Sequence, residues 1–213
     1  MTGRRRLRWW WIALPIAILV LVPTAILALP ILLHRDGGLS QQQAADEWPL
    51  TVTAEGDDGR NRELTVAAAE PGGLVDTAAL AEGDRLVVSG TGYDSAQGIY
   101  VAICVIPDSP SIKPGPCLGG MPSGDSSSSP GATDFAPSNW INDDWAWKLF
   151  GARGYDDADG TFTAYLEVPA PIGEGIDCTT QKCAIYTRND HTALRDRVQD
   201  VYIPVAVIER GRD

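Results

Sequence analysis

Four cysteines in two near pairs constrain the fold of this 213-residue chain more than any other feature. Cys178 and Cys183 enclose four residues, so a bond between them closes only a tight loop. Such a loop offers too few donors for a closed metal site unless Cys104 and Cys117 join it. Free, buried thiols are the other alternative. In an exported segment, where thiols oxidise, the spacing indicates two local disulfides instead.

A basic cluster followed by a long apolar run near the N-terminus indicates export. The cluster consists of Arg4, Arg5, Arg6 and Arg8. The run extends from Trp9 to Leu33, and none of its 25 residues is charged. As a helix it would measure roughly 37 Å, enough to cross a hydrocarbon core of about 30 Å. Basic residues favour the cytoplasmic side. The pattern therefore predicts a cytoplasmic tail (1–8), a single transmembrane anchor (9–33) and an extracytoplasmic remainder in the cell membrane.

A cleaved signal peptide is the alternative interpretation of the apolar run. The apolar core of a signal is usually about 7–15 residues long and precedes a small-x-small cleavage site. Here the run is longer, and Ile26-Leu27-Ala28 has no small residue at its first position. The sequence therefore favours an uncleaved anchor.

Charge excludes several partner classes for the exported part. Residues 37–213 contain 27 acidic and 12 basic residues, a formal charge of −15. Such a surface repels nucleic acid and anionic headgroups, so no nucleic-acid partner is expected. The acidic runs lack the EF-hand pattern of a calcium site. His191 is the one histidine in the exported part besides His34, which leaves too few ligands for a zinc site. We therefore expect neither a metal nor a cofactor.

Short alternating runs separated by turn residues indicate an all-β domain. Residues 99–105 are apolar almost throughout, as in a strand buried on both faces, and residues 161–168 alternate. Several such runs without a long amphipathic helix predict an all-β sandwich over residues 63–209. Residues 34–62, whose first part contains Gly37-Gly38 and Gln41-Gln42-Gln43, are expected to form an extracytoplasmic stalk.

From about Leu64 to Ile208 the chain resembles the neocarzinostatin family, secreted actinobacterial apoproteins that carry enediyne chromophores. The matching motifs are Pro71-Gly72-Gly73-Leu74, Val88-Ser89-Gly90-Thr91-Gly92, and Asp177-Cys178-Thr179-Thr180 closing at Cys183. The resemblance implies a seven-stranded immunoglobulin-like sandwich with disulfides Cys104–Cys117 and Cys178–Cys183. It also implies carriage of a hydrophobic small molecule.

The chain departs from the family where family members hold their ligand. The hairpin before Asp177, which carries aromatic residues in the carriers, has none over residues 169–175, and Ile106 replaces a tryptophan. An insertion spans residues 106–159 and is rich in aromatic residues. These side chains are candidates either for a ligand-binding patch or for a satellite core. The candidates are Phe135, Trp140, Trp145, Trp147 and Tyr155.

The sequence favours a non-enzymatic, membrane-tethered cell-envelope domain that binds a surface component, either a protein or a hydrophobic small molecule. A carrier of a hydrophobic small molecule is the first alternative. A hydrolase that uses His191 and Asp190 is the second, but the chain has no Gly-x-Ser-x-Gly nucleophile motif. No catalytic residue is therefore assigned.

If residues 9–33 are an anchor, the mature protein begins at or near Met1. Protease added outside intact cells then digests the domain beyond the anchor, whereas the basic tail is protected by the membrane. Mass spectrometry of the mature N-terminus checks this prediction. An N-terminus between Pro30 and Gly38 would show that the run is a cleaved signal.

Overall fold

The computed structural model describes residues 4–45, 47–120 and 134–209. The chain divides into two compact units, Met1–Arg35 and Asp36–Asp213. The middle of the predicted insertion, residues 121–133, lies outside the described residues.

The first unit is a single helix, α1 (Arg4–Leu33). Its segment Trp9–Leu33 is long and apolar enough to cross a membrane, by length and composition. A signal sequence near the N-terminus has the same properties, so the helix is consistent with either an anchor or a signal.

The second unit consists mostly of strands. Its elements are β1 (Thr51–Glu55), β2 (Asn61–Ala68), β3 (Leu80–Ala81), β4 (Arg85–Thr91), β5 (Ile99–Val105), β6 (Ser138–Ile141), α2 (Trp145–Lys148), β7 (Phe162–Glu167), β8 (Ile172–Gly173), β9 (Ile176–Asp177), β10 (Cys183–Asn189), a 3-10 turn (His191–Ala193), β11 (Tyr202–Val205) and β12 (Val207–Ile208).

Two four-stranded antiparallel sheets form the body of this unit. The first has the order β1-β2-β4-β7, and the second has the order β11-β10-β5-β6. Strand β7 buries alternate residues, and β5 is buried from Ile99 through Cys104, as their sequences predict. The all-β fold expected from the sequence is therefore confirmed.

One hydrophobic core joins the two sheets. The first sheet contributes Leu64, Val88 and Leu166, all at most 1 % exposed, and the second contributes Val101 and Ile185. Burying one such side chain stabilises the fold by about 1.5–3 kcal/mol. Because side chains alternate along a strand, the other residues of β5 and β10 point to the outer face of the second sheet. That outer face positions the candidate sites.

Both disulfides form with the expected pairing. Cys104 bonds to Cys117 across 13 positions, and Cys178 bonds to Cys183 across 5. Chain-entropy arguments give loops of these sizes about 3 and 2 kcal/mol of stabilisation, respectively. The first bond holds the loop after β5 over the outer face of the second sheet.

The prediction that residues 34–62 form a stalk is wrong for the second half of this segment. Strand β1 lies within it and pairs with β2 along its whole length. Ala54 is buried, and Val52 packs against the core. The composition of the segment resembles a coil, but alternation of apolar residues after Leu50 lets it complete the first sheet.

The first half of the predicted stalk is docked on the domain as a strap, residues 36–44. Leu39 forms a β-bridge with Arg197, and its backbone N–H donates to the Asp57 carboxylate at 2.8 Å. The Gln42 amide donates to the Tyr202 carbonyl and accepts from the Tyr202 N–H, both at 2.7 Å. The side chain thus takes the place of a neighbouring strand at the free edge of β11, which satisfies backbone groups that an open edge leaves unpaired.

The insertion contributes one strand to the second sheet. Its strand β6 pairs with β5 and supplies the fourth strand of the second sheet. The Asn139 amide on β6 donates to the Tyr165 carbonyl at 2.8 Å and accepts from the Tyr165 N–H, so β6 is also tied to the edge of the first sheet. Among the described residues, the two main sheets contain eight strands, one more than the family pattern implies.

Candidate functional site

The structure does not bring the five predicted aromatic residues together. Phe135 lies against Tyr165 of the first sheet, with ring centroids 5.5 Å apart. Tyr155 is in the main core, where its hydroxyl donates to the Gln97 carbonyl at 2.9 Å. The three tryptophans lie elsewhere, on β6 and α2.

Trp140 and Trp147 belong to a small aromatic cluster on the outer face of the second sheet. The cluster is defined by Tyr100, Trp140, Trp147 and His191. The Trp147 ring meets His191 edge-on at 4.7 Å, and the Trp140 ring lies 5.3 Å from His191. Trp140 is only 9 % exposed. Trp140 is buried with Tyr100 and Ala152, and the partly buried Trp147 packs against them.

Asp190 anchors the aromatic cluster. Its buried carboxylate accepts hydrogen bonds at 2.9 Å from the Trp140 indole N–H and from the Asn142 amide. Its other oxygen accepts from the backbone N–H and hydroxyl of Thr192 at 2.8 and 2.5 Å. A buried carboxylate needs such partners, and here they connect the insertion to the end of β10.

His191 is positioned by Tyr100 and not by Asp190. The Tyr100 hydroxyl lies 3.0 Å from Nδ1 of His191. Burial, and secondly the negative charge of Asp190, raises the pKa of Tyr100 to about 12, so the hydroxyl keeps its proton at neutral pH and can donate it. A carboxylate that orients a catalytic histidine bonds to its ring nitrogen. Here Asp190 uses its oxygens for other groups, and the geometry gives no support to the hydrolase alternative.

Trp145 lies outside the aromatic cluster, on an exposed apolar patch. The patch is defined by Trp145, Leu149 and Phe150, whose side chains are 65, 74 and 64 % exposed. Asp144 caps α2 by accepting from the Ala146 N–H at 2.9 Å. Because Trp145 and Trp147 are two positions apart on this helix, they point to different sides. Three large exposed apolar side chains in six residues are typical of an interaction surface.

A pocket that the sequence analysis missed lies beside the Cys104–Cys117 disulfide. Its volume is about 190 Å³. One wall is the stacked pair Tyr186–Tyr202, with ring centroids 4.8 Å apart. The loop after β5 forms the second wall and the strap the third. Lining residues include Gln42, Ile106, Ile112, Pro114, Tyr186 and Tyr202. We call it the tyrosine pocket.

Asp200 is the acidic group that lines the tyrosine pocket. It pairs with Arg197 at 2.8 Å, and both side chains are nearly inaccessible. Burial raises the pKa of Asp200 to about 6, against the opposing charge of Arg197. The pocket thus combines an apolar, aromatic body with one charged, internally paired end.

A larger and more open groove, about 630 Å³, lies on the first sheet beside Phe135. Tyr165, Arg85 and the highly exposed Leu74 line it. The Arg85 guanidinium stacks 5.2 Å above the Phe135 ring and pairs with Glu167. Phe135, one of the five predicted aromatic residues, therefore lines this groove on the first sheet.

The chain is similar to known proteins in three comparisons. A model of the neocarzinostatin family matches residues 74–201. A protein of Corynebacterium glutamicum named "Thiamine biosynthesis protein X" is 33 % identical over 119 residues, which are 56 % of this chain and 54 % of that protein. The chain thus spans about half the length of this relative. The solved structure of macromomycin is 17 % identical and covers 68 % of this chain and 99 % of its own, with a TM-score of 0.34.

Trp140 and Trp145 should respond differently to truncation. Trp140→Ala removes a buried ring and leaves Asp190 without one donor, so we expect a loss of about 3–5 kcal/mol in the free energy of unfolding. Trp145→Ala removes a ring that is mostly in solvent and should change it by less than about 0.5 kcal/mol. Chemical denaturation of the two variants measures both. Equal losses would contradict the separation of cluster and patch.

Proposed function

The chain belongs to the neocarzinostatin family, as its sequence predicts, and on that premise we propose that it is a non-enzymatic binding protein for a small hydrophobic molecule. The tyrosine pocket is the proposed site. The observation that carries the proposal is a preformed, partly aromatic cavity beside the Cys104–Cys117 disulfide.

The size of the pocket limits the ligand. A cavity of about 150 Å³ lined by apolar side chains holds one benzene molecule, and drug-sized ligands occupy about 300–1,000 Å³. The tyrosine pocket, at about 190 Å³, suits one ring with a short substituent. A large polycyclic chromophore would require displacement of the loop after β5 or of the strap. The protein therefore differs in ligand size from the chromophore carriers of its family.

The site is proposed to lie outside the cytoplasm, held at the cell membrane by residues 9–33. Two formed disulfides support an oxidising compartment, and the apolar helix α1 supports export.

Test compounds of known chemistry can show which class of ligand the pocket binds. The name of the Corynebacterium relative makes thiamine one compound to test. Phenylpropanol, an uncharged ring with a short chain, tests the apolar pocket without a contribution from charge.

We expect phenylpropanol to bind the full-length protein, and Ala44→Trp to weaken binding at least about tenfold, because an indole at this lining position occupies the cavity. Isothermal titration calorimetry in neutral detergent, with a detergent-only blank, measures both dissociation constants. Gln43→Trp is the matched control, since Gln43 is exposed and does not line the pocket. Absence of binding to the unmodified protein, or equal weakening by both variants, would refute the proposed site.

A second candidate function rests on the exposed patch of Trp145, Leu149 and Phe150. It is the surface on which a cell-envelope protein would dock, as the composition of the insertion suggests. Exposed tryptophans are frequent among residues that dominate binding energy. Docking there would be independent of the tyrosine pocket, because the patch does not line it.

For this second candidate, Trp145→Ala should abolish capture of an envelope protein that the unmodified protein retains after cross-linking in intact cells. Loss of one dominant ring weakens an interface by about 2 kcal/mol or more. Ala44→Trp serves as the control and should retain capture. Equal capture by Trp145→Ala and the unmodified protein would exclude the patch.

A further inference from the structure

Two cations lie near the tyrosine pocket in a domain that is otherwise strongly acidic, and the charge of one acts on the other. They are Arg188, two residues after Tyr186 on the same outer face of β10, and Lys113, which lies in sequence between the pocket residues Ile112 and Pro114. Residues 37–213 carry a formal charge of −15, so a local excess of positive charge needs an explanation.

Arg188 is held in place but not neutralised. Its Nη1 donates to the carbonyl of Pro114 at 2.6 Å, and its guanidinium lies 5.8 Å from the centre of the Tyr100 ring. Its Nε is buried and finds no acceptor among the described residues. A buried N–H of a charged group without an acceptor is unfavourable unless a further group supplies one.

Lys113 is half-buried beside it, and no ion pair among the described residues includes Lys113. Burial lowers its pKa, and the positive charges of Arg188 and Arg197 lower it further. The negative charges of Asp200 and Asp190 oppose these effects but do not outweigh them, so no anion fully compensates the ammonium group.

The neighbouring carboxylates do not supply that anion. Asp190 accepts from Trp140, Asn142 and Thr192 and lies in the aromatic cluster. Asp200 is paired with Arg197 at 2.8 Å. Both acids whose charges act on Lys113 therefore have other partners.

We infer that the tyrosine pocket recognises an amphipathic acid, with its apolar body between Tyr186, Tyr202 and the loop after β5 and its carboxylate beside Lys113 and Arg188. This inference rests on the proposed function. Pro114 connects the two halves of the site, because it lines the pocket and its carbonyl accepts a hydrogen bond from Arg188. A carboxylate can accept hydrogen bonds from both cations and also neutralise their charge; an alcohol can accept a hydrogen bond but carries no charge, and an ammonium group can do neither.

Three compounds with the same body separate the contributions of shape and charge: phenylpropanoate, phenylpropanol and phenylpropylammonium. At pH 7 and low salt, we expect the acid to bind the full-length protein about tenfold more tightly than the alcohol, as for a partly exposed hydrogen bond between charged groups. The amine should bind most weakly. Raising the salt concentration should reduce the advantage of the acid and leave the alcohol unchanged.

Lys113→Gln should remove most of the advantage of the acid without changing the affinity for the alcohol, because Lys113 is partly exposed and supports no described hydrogen bond. Arg85→Gln is the charge-matched control. It removes one positive charge from the other sheet, and it should leave the ratio of acid to alcohol affinity unchanged.

The outcomes distinguish the inference from the function on which it rests. If the alcohol binds and Ala44→Trp weakens its binding, but the acid binds no more tightly than the alcohol, the tyrosine pocket is the binding site and the inference is wrong. The same holds if the amine binds best, which would show that the acidic surface dominates. If none of the three compounds binds, the proposed function itself fails. A reduced ratio in both Lys113→Gln and Arg85→Gln would show an effect of net charge and overturn the assignment to Lys113.

Discussion

Pairing between β5 and β10 is the interaction on which the core, the tyrosine pocket and the aromatic cluster depend. The two strands run antiparallel over seven residue pairs, from Cys183 opposite Val105 to Asn189 opposite Ile99. Their inner side chains complete the core, and their outer side chains supply one cysteine of the first disulfide, one wall of the tyrosine pocket and the base of the aromatic cluster. A change that shifted this register by one residue would exchange core and outer positions throughout.

The outer face of the second sheet is covered unevenly, and this determines where ligands can bind. Asp190 fixes the aromatic cluster at one end, and its saturated hydrogen bonds make that end a packed region. Toward the other end, the Cys104–Cys117 disulfide holds a proline-rich loop above Tyr186, which leaves a cavity. The cavity arises because proline rings and a closed disulfide loop hold the backbone of this segment in place without filling the space beneath it.

Side-chain amides connect the sheets to segments outside the regular ladders. Gln42 pairs with the backbone of Tyr202, and Asn139 pairs with the backbone of Tyr165. Each amide offers one donor and one acceptor, as a strand residue does, so each closes an edge that would otherwise be free to pair with another chain. Through Gln42, the segment that follows the apolar helix becomes a wall of the proposed binding site.

The sequence by itself determined the family, the all-β fold, the two disulfide pairs implied by that family and the buried faces of β5 and β7, because short motifs and the alternation of side chains are local properties. It could not assign Gln42 to a sheet edge, or place β1 in the first sheet instead of a stalk, because those contacts join residues far apart in the chain.

For the same reason the sequence grouped Phe135, Trp140, Trp145, Trp147 and Tyr155 by proximity in sequence. Only the tertiary structure separated them among a groove, a cluster, a patch and the core, since the insertion crosses from one sheet to the other. Tyr186 and Tyr202 stood at outward positions of alternating strands, but their stacking depends on the register of β10 against β11, which only the folded sheet establishes.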